Sequence, residues 1–340
     1  MYKNFVSGNY FMAPTLKMIA ERAGIAVSTV SLILNRKPND FSSEETRKKV
    51  FSIAEELGYK QKFAHKLLRG DKTNTAALLV ATHEMSVEEH IQQLIFHLFI
   101  QFEKRGYSLY VTPLENNEER NLRTIDELCS RGTEYFLFIG DPVGGEKIRS
   151  KLAENHKRTV GYWSPCPFAV KSDPVDAIKK ILKFFLDSKR ENFKMIVSEK
   201  SLRLNALYEL FPEVPQEELR QRHQITLDYS RINPDLLERA EAGYFYTQKL
   251  LQSTPDISAI FYHSDYFAVG GIRCLLENGR IPGKDVLVAG VNNIHAVRTG
   301  FFPISSISHP LERIADVLLE GICSSAADQV NIPLQEIIRK

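Results

Sequence analysis

TLKMIAERAGIAVSTVSLILN, residues 15–35, holds two short helical patterns separated by a glycine. Thr15 is a suitable N-cap, and Gly24 is expected to end the first helix. A second helix is predicted from Val27 to Leu34, closed by Asn35. The apolar residues of the first helix recur at helical spacing: Leu16, Ile19, Ala20 and Ala23. Two short helices joined by about three residues around a glycine are typical of a helix-turn-helix.

A third helix is predicted after Ser42, which has the spacing of a capping box with Glu45. Three helices in about 45 residues enclose only a small core, so they are expected to serve by presenting a surface. The outer face of the second helix would present Val27, Ser28, Thr29, Ser31 and Leu32. Hydroxyls and free N–H groups at the start of a helix suit phosphate oxygens. A small protein-interaction module is the alternative.

Charge is unevenly distributed along the chain. Residues 1–72 hold 13 Lys and Arg against 7 Asp and Glu, whereas the remaining residues hold 31 against 35. A positive head on a slightly negative body indicates an anionic partner for the head alone, and nucleic acid is the commonest such partner. A solvated basic face is the alternative.

The composition is that of a soluble globular protein. The 340 residues, 43% hydrophobic and 25% charged, suit two or three domains. The longest apolar runs, such as AALLVA and FLFI, are far shorter than the roughly 18 residues of a membrane helix. No export signal is recognised, so a cytoplasmic location without membrane contact is expected. The four cysteines form no Cys-x-x-Cys pair, and neither a metal nor a cofactor is predicted.

The head resembles a known family. T-L-x-x-I-A-x-x-A-G-I-x-V-S-T-V-S-x-x-L-N, followed by S-x-E-T-R-x-K-V and A-E-E-L-G-Y, is similar to the DNA-binding head of the LacI/GalR repressors. The resemblance implies that the helix from Val27 enters the major groove. Val27, Ser28 and Leu32 would then face bases, and Thr29, Ser31 and Asn35 would face phosphates. The DNA contacts it implies in the head are Thr15, Leu16, Val27, Ser28, Thr29, Ser31, Leu32 and Asn35.

Three positions of the head depart from the family pattern, and one of them is Met18, which stands where the first helix usually has an acidic residue. Ala26 stands where a serine commonly caps the recognition helix, a loss of about 1 kcal/mol. Leu32 stands where many members have a base-reading arginine; it cannot bond guanine in bidentate fashion but can contact a thymine methyl.

Residues 61–75 are predicted to be a basic amphipathic linker. In the family, the equivalent segment folds into a hinge helix on the operator, and a leucine from each subunit wedges into the minor groove. The resemblance implies that Leu68 is the wedging leucine, and Lys66 is a further expected DNA contact. An ordinary linker is the alternative.

The body alternates apolar runs with helical patterns, which indicates parallel sheets flanked by helices. We expect two doubly wound subdomains with a ligand cleft between them, at the carboxyl ends of the strands. The predicted organisation is an extension (1–14), the head (15–60), the linker (61–75) and an effector-binding and dimerisation body (76–340). The predicted strands are AALLVA (76–81), YSLYVT (107–112), EYFLFIG (134–140), RTVGYW (158–163), FKMIVS (193–198), QITLDY (224–229), AIFYHS (259–264) and VLVAGV (286–291).

The body resembles the effector domain of the same family, which shares its fold with periplasmic sugar-binding proteins, in SEKSLRLNALYEL and AIFYHSDYFAVGGIRCLLENGRIPGKDVLVAGVNN. The resemblance implies that Arg203 grips effector oxygens and that Asp265 accepts ligand donors. Either could instead be a surface charge or part of an ion pair between subdomains. Further expected pocket residues are Trp163, His83, Asn292 and His309. The paired arginines of a purine pocket are not evident, since Val197 stands where the earlier one would fall.

Enzyme motifs are missing from the chain. Gly140-x4-Gly145 is followed by Glu146, which departs from a phosphate-binding loop, and neither GxSxG nor HExxH occurs. His90 and His97 share a helix face with apolar residues and are read as the edge of a core. No catalytic residue is therefore predicted.

The sequence is thus identified as a homodimeric, sequence-specific DNA-binding transcriptional regulator, a repressor, controlled by a small molecule. A sugar or sugar derivative is the favoured effector, and a purine or nucleoside is the alternative. A sugar-binding sensor whose head has lost operator specificity is a further alternative. Since the chain ends at Lys340 without an added heptad helix, a dimer is expected over a tetramer.

Overall fold

Three helices make up the head in the part of it that the structure describes: α1 Leu16–Ala23, α2 Val27–Leu34 and α3 Glu44–Glu56. The structure is a computed structural model and describes residues 14–35, 40–59, 73–228, 232, 236–324 and 327–339, except the side chains at 83, 84 and 236. Its contacts divide the chain into residues 1–73 and 74–340. The head core consists of Ile19, Ala20, Ala23, Val30, Ile33, Val50, Ile53 and Ala54.

Two of the predicted caps of the head helices are present in the structure, and a third is at a different residue. The Thr15 hydroxyl accepts the Met18 N–H at 3.3 Å, and Gly24 ends α1 with a φ of 73°. The predicted capping box of Ser42 and Glu45 is wrong. The Ser42 N–H bonds to an Asp40 carboxylate oxygen at 3.0 Å, so Ser42 belongs to the preceding turn. Ser43 is the N-cap instead and accepts the N–H of the residue three positions on, at 3.2 Å.

The second unit begins with a six-stranded parallel sheet, which we call the N-subdomain together with its helices. The strand order is β2-β1-β3-β4-β5-β11. The strands are β1 Thr75–Val80, β2 Ser108–Pro113, β3 Tyr135–Ile139, β4 Arg158–Tyr162, β5 Phe168–Asp173 and β11 Asp328–Pro333. The helices of this subdomain are α4 His83–Ser86, α5 Glu89–Lys104, α6 Glu118–Ser130, α7 Gly145–Glu154 and α14 Leu311–Cys323.

A four-stranded parallel sheet forms the C-subdomain, in the order β7-β6-β8-β9. Its strands are β6 Phe193–Ser198, β7 Gln224–Leu227, β8 Ala259–Tyr262 and β9 Leu287–Ala289. Beside it, β10 Ser306–Ser308 pairs antiparallel with β12 Gln335–Ile337. The helices are α8 Val175–Asp187, α9 Leu204–Leu210, α10 Gln216–His223, α11 Leu236–Ser253, α12 Asp265–Glu277 and α13 His295–Thr299.

All eight predicted strands are present, and the fold class is confirmed as a helical head followed by two parallel-sheet subdomains. The sequence reading missed β5, β10, β11 and β12. The chain passes between the subdomains near residues 174, 309 and 334, since β11 and α14 return to the first sheet after the C-subdomain. Among the described helices, none is both long enough and apolar enough to span a bilayer.

Candidate functional site

The exposed face of α2 carries the side chains that were expected to contact bases. Val30 and Ile33 point into the head core, which turns Val27 and Ser28 outward and leaves Leu32 half-buried at the edge of the same face. Ala26 is the N-cap of α2 and gives it no side-chain hydrogen bond. The first-turn N–H groups of this helix are therefore open to an anion.

The expected phosphate contacts lie around this face. Thr29 and Ser31 are half-buried, and the Asn35 side-chain amide donates to the Ser31 carbonyl and, at 3.2 Å, to its hydroxyl. Thr15 and Leu16 lie at the start of α1. Lys66, Leu68 and the side chain of His83 lie outside the described residues.

The second unit contains a cavity of about 260 Å³ between its subdomains. Each of the three chain crossings contributes one lining residue, namely Pro174, His309 and Leu334. The cavity therefore lies where the two sheets meet, as expected for strand carboxyl ends that face each other. Four predicted pocket residues line it: Arg203, Trp163, Asn292 and His309.

Asp265 is not among the residues that line the cavity, although it was predicted to bind the effector. It is fully buried at the start of α12, where its carboxylate accepts the Ser306 hydroxyl at 2.8 Å and the Ile294 N–H at 3.1 Å. Burial raises its pKa to about 7. Both carboxylate oxygens are thus hydrogen-bonded within the C-subdomain in this structure.

Trp163 lies one residue beyond β4, with its backbone in the left-handed region at a φ of 56°. This conformation is uncommon for a bulky residue and is concentrated at functional sites. The indole N–H donates to the Ser172 hydroxyl at 3.0 Å, while 38% of the side chain stays exposed. The bond fixes the orientation of an aromatic ring at the cavity wall.

Two stacked imidazoles form another part of the wall. The rings of His90 and His309 lie 4.5 Å apart and nearly parallel. His309 contacts the side-chain oxygen of Asn292 through Nε2 at 3.2 Å and the Tyr162 hydroxyl through Nδ1 at 3.4 Å, which fits a neutral ring protonated at Nε2. Burial lowers the pKa of both histidines, and it also lowers that of His263, a third lining residue. His90, interpreted from the sequence as the edge of a core, thus also lines the cavity.

Two acidic residues at the start of α5 connect the subdomains. Glu88, at the N-cap, forms an ion pair with Arg239 of α11 and accepts the Asn292 amide at 3.3 Å. Glu89 accepts the His295 N–H at 2.9 Å and forms an ion pair with Arg298 of α13, also at 2.9 Å. Glu88 and Arg239 both line the cavity and were not identified in the sequence.

The position of Glu88 offered one usable signal. It follows the first strand by a short helix, and residues beyond strand carboxyl ends are where ligands bind in open parallel sheets. Arg239 offered none, since it lies 151 residues from its partner within a long helix.

Comparison with known proteins gives matches to both the head and the body. Residues 15–62 match the bacterial regulatory proteins of the lacI family, and residues 187–334 match the periplasmic binding protein-like domain. The HTH-type transcriptional repressor PurR of Histophilus somni is 24% identical over 314 residues, which cover 88% of each chain. PurR of Pasteurella multocida is 23% identical over 359 residues, which cover 96% of this chain and 98% of that protein.

Solved structures show the same fold. The lac repressor dimer bound to operator and the anti-inducer ONPF aligns with a TM-score of 0.76 at 18% identity, over 97% of this chain and 99% of that chain. The complex of the transcriptional regulator CelR with cellobiose aligns with a TM-score of 0.62 at 19% identity, over 96% and 99%.

A helix-turn-helix head joined to a two-subdomain body with a cavity defines a DNA-binding transcription regulator. The chain combines the DNA-binding domain of the lacI family of bacterial regulatory proteins, as its head motif predicted, with a periplasmic binding protein-like domain, and the relatives that it matches are transcriptional repressors.

Proposed function

We propose that the protein represses transcription as a homodimer on a near-palindromic operator, and that a small molecule in the cavity sets its affinity for that DNA. The carrying observation is that one chain combines an exposed, anion-accepting face on α2 with a cavity between two subdomains. Because the cavity walls belong to both subdomains, a ligand there would bias their relative position, a coupling of typically about 1–3 kcal/mol.

Exposed apolar residues on the N-subdomain support the dimer. Phe96 and Phe99 of α5 are 62% and 46% exposed, and Val111 of the neighbouring strand β2 is 44% exposed. Apolar side chains left in water on adjacent elements mark a contact surface. We therefore propose that a second copy of the chain covers this face.

A sugar or sugar derivative is the favoured effector. Trp163 offers a ring that can stack on a pyranose, and Arg203 offers a guanidinium for bidentate bonds to its oxygens. The volume of about 260 Å³ is slightly below the roughly 300–1,000 Å³ typical of ligand pockets, which suits a small ligand. Titration of sugars, sugar phosphates and nucleobases against Trp163 fluorescence tests this assignment. No change with a ligand that alters DNA binding would place the effector elsewhere.

A purine or nucleoside is the second candidate, and the presence of two arginines in the cavity favours it. The sequence showed no pair of arginines, but the structure brings Arg239 to the same cavity as Arg203. Two guanidinium groups can bond the keto oxygens and ring nitrogens of a purine. The name PurR of the two relatives agrees with this candidate.

Selection of bound fragments from the host genome tests the DNA-binding role. We expect one enriched palindrome, whose half-site spacing reflects the twofold symmetry of a dimer. Salt-sensitive binding without an enriched sequence would instead support a head that has lost its specificity, and it would refute the proposed repressor.

A further inference from the structure

The charges on the cavity wall are unequal. Among the described lining residues, Arg203 and Arg239 carry positive charge and only Glu88 carries negative charge. The lining histidines are neutral near pH 7, because burial disfavours their charged form. The side chains that the structure describes along this wall therefore sum to a net charge of about plus one, with Arg203 and Arg239 against Glu88.

Glu88 supplies the one carboxylate among the described lining residues, and it already binds one of the two guanidinium groups. Glu88 and Arg239 form a close ion pair, and their side chains are only 15% and 12% exposed. A carboxylate on a guanidinium is the arrangement in which proteins bind carboxylate and phosphate ligands. Glu88 thus takes the place that an anionic group of a ligand would take.

We propose that the effector of this cavity carries a carboxylate or phosphate group and that this group replaces Glu88 at Arg239. The proposal rests on the proposed function and specifies the chemical class of its effector. A sugar acid, a sugar phosphate and a purine nucleotide share this chemistry.

Contacts around Glu88 allow such an exchange. Besides Arg239, the Glu88 carboxylate has the Asn292 amide at 3.3 Å and His90 Nδ1 at 3.6 Å, so polar partners other than Arg239 lie within its reach. The subdomains also remain linked, because Glu89 keeps its bonds to α13. A neutral ligand would leave the Glu88–Arg239 pair in place and so gain nothing from Arg239.

Matched neutral and anionic probes test the proposal on the full-length protein. The pairs are glucose with glucose 6-phosphate, glucose with glucuronate, and inosine with inosine 5′-monophosphate, with inorganic phosphate as the minimal anion. Thermal unfolding and titration calorimetry at pH 7.5 and low salt report binding. We expect stabilisation by anionic members and little by neutral ones, and the pair that responds distinguishes sugar from purine. Equal or tighter binding of the neutral members would overturn the proposal.

Variants of the ion pair give the decisive measurement. Glu88→Gln removes the competing carboxylate and is expected to raise the affinity for the anionic probes by about tenfold, the size of one charge-assisted bond. Arg239→Gln is expected to abolish the preference for anions. The control Glu115→Gln makes the same change in an exposed pair with Arg120, joined at 2.8 Å, and should leave the affinity unchanged.

Each outcome is informative. If no anionic probe binds Glu88→Gln more tightly than the unsubstituted protein, the proposal is overturned. Should Glu88→Gln not fold, Glu88→Asp retains the charge on a shorter side chain and is expected to give a smaller gain of the same sign; no gain would again overturn it. Operator binding is measured separately on the same proteins. Loss of operator specificity would refute the repressor itself, whereas intact operator binding without anion preference refutes only the anionic effector.

Discussion

Helix α2 lacks the side-chain N-cap that α1 and α3 have, and these two helices show what a cap at position 26 would bind. Ala26 has the backbone angles φ −65° and ψ 146°, close to the φ −64° and ψ 156° of Ser43, which caps α3. Both Ser43 and Thr15 accept the N–H of the residue three positions on. In the variant Ala26→Ser, the new hydroxyl would therefore accept the Thr29 N–H. Position 26 is exposed, so the added oxygen meets no steric resistance.

The gain expected from Ala26→Ser is about 1 kcal/mol in the free energy of unfolding of the head. Hydrogen exchange of the peptide covering residues 27–34 in the full chain measures it, because about 1 kcal/mol slows exchange through unfolding by roughly fivefold. Ser43→Ala is the matched control and should accelerate exchange in α3 by a similar factor. If the control responds and Ala26→Ser does not, the cap does not limit the stability of α2, and the reasoning is refuted.

Three further predictions concern the body and the reading face. Lowering the pH from 7 to 5 should reduce the urea-unfolding free energy of the second unit, because burial holds the pKa of His90, His263 and His309 below 6.5 and the unfolded chain then binds more protons. Asp265, with a pKa of about 7, opposes this effect by only one proton. Unchanged stability would contradict the prediction. Gly270→Ala would place its Cβ 1.6 Å from the Ala240 carbonyl oxygen. The free energy of unfolding in urea is therefore expected to fall by at least about 3 kcal/mol. A neutral effect would disprove this close approach of α11 and α12. Leu32→Arg should shift the selected operator toward guanine at one position of each half-site, and an unchanged preference would show that residue 32 does not face the bases.

The head was predictable because its determinants are local. Thr15 and Gly24 act within a few residues of their positions, and the apolar spacing of α1 and α2 specifies their core faces. The misplaced cap of α3 shows the limit of this reasoning. Ser42 and Ser43 are equally suitable by type, and the bond from Ser42 to Asp40 decides between them.

Missed strands and pocket residues depend on distant parts of the chain. β5 has only three consecutive apolar residues, Phe168 to Val170, and β11 is a polar edge strand that pairs with it from 160 positions away. The direction of the Asp265 carboxylate is set by Ser306, 41 residues later. Sequence patterns indicate which residues lie on a buried face. They do not indicate which distant polar group will form the hydrogen bond that orients a given side chain.

The three passages of the chain between the subdomains also affect how the protein is made. Residues 75–173 supply five strands of the first sheet, but α14 and β11 leave the ribosome only after about 140–160 further residues. At roughly 5–20 residues per second, this delay lasts about 7–32 s. During that interval the apolar surfaces of β4 and β5 that α14 later covers stay open to water. The four strands of the second sheet come from one continuous stretch and are complete earlier. The nascent N-subdomain is therefore the half of the body whose apolar surface stays uncovered for longer during synthesis.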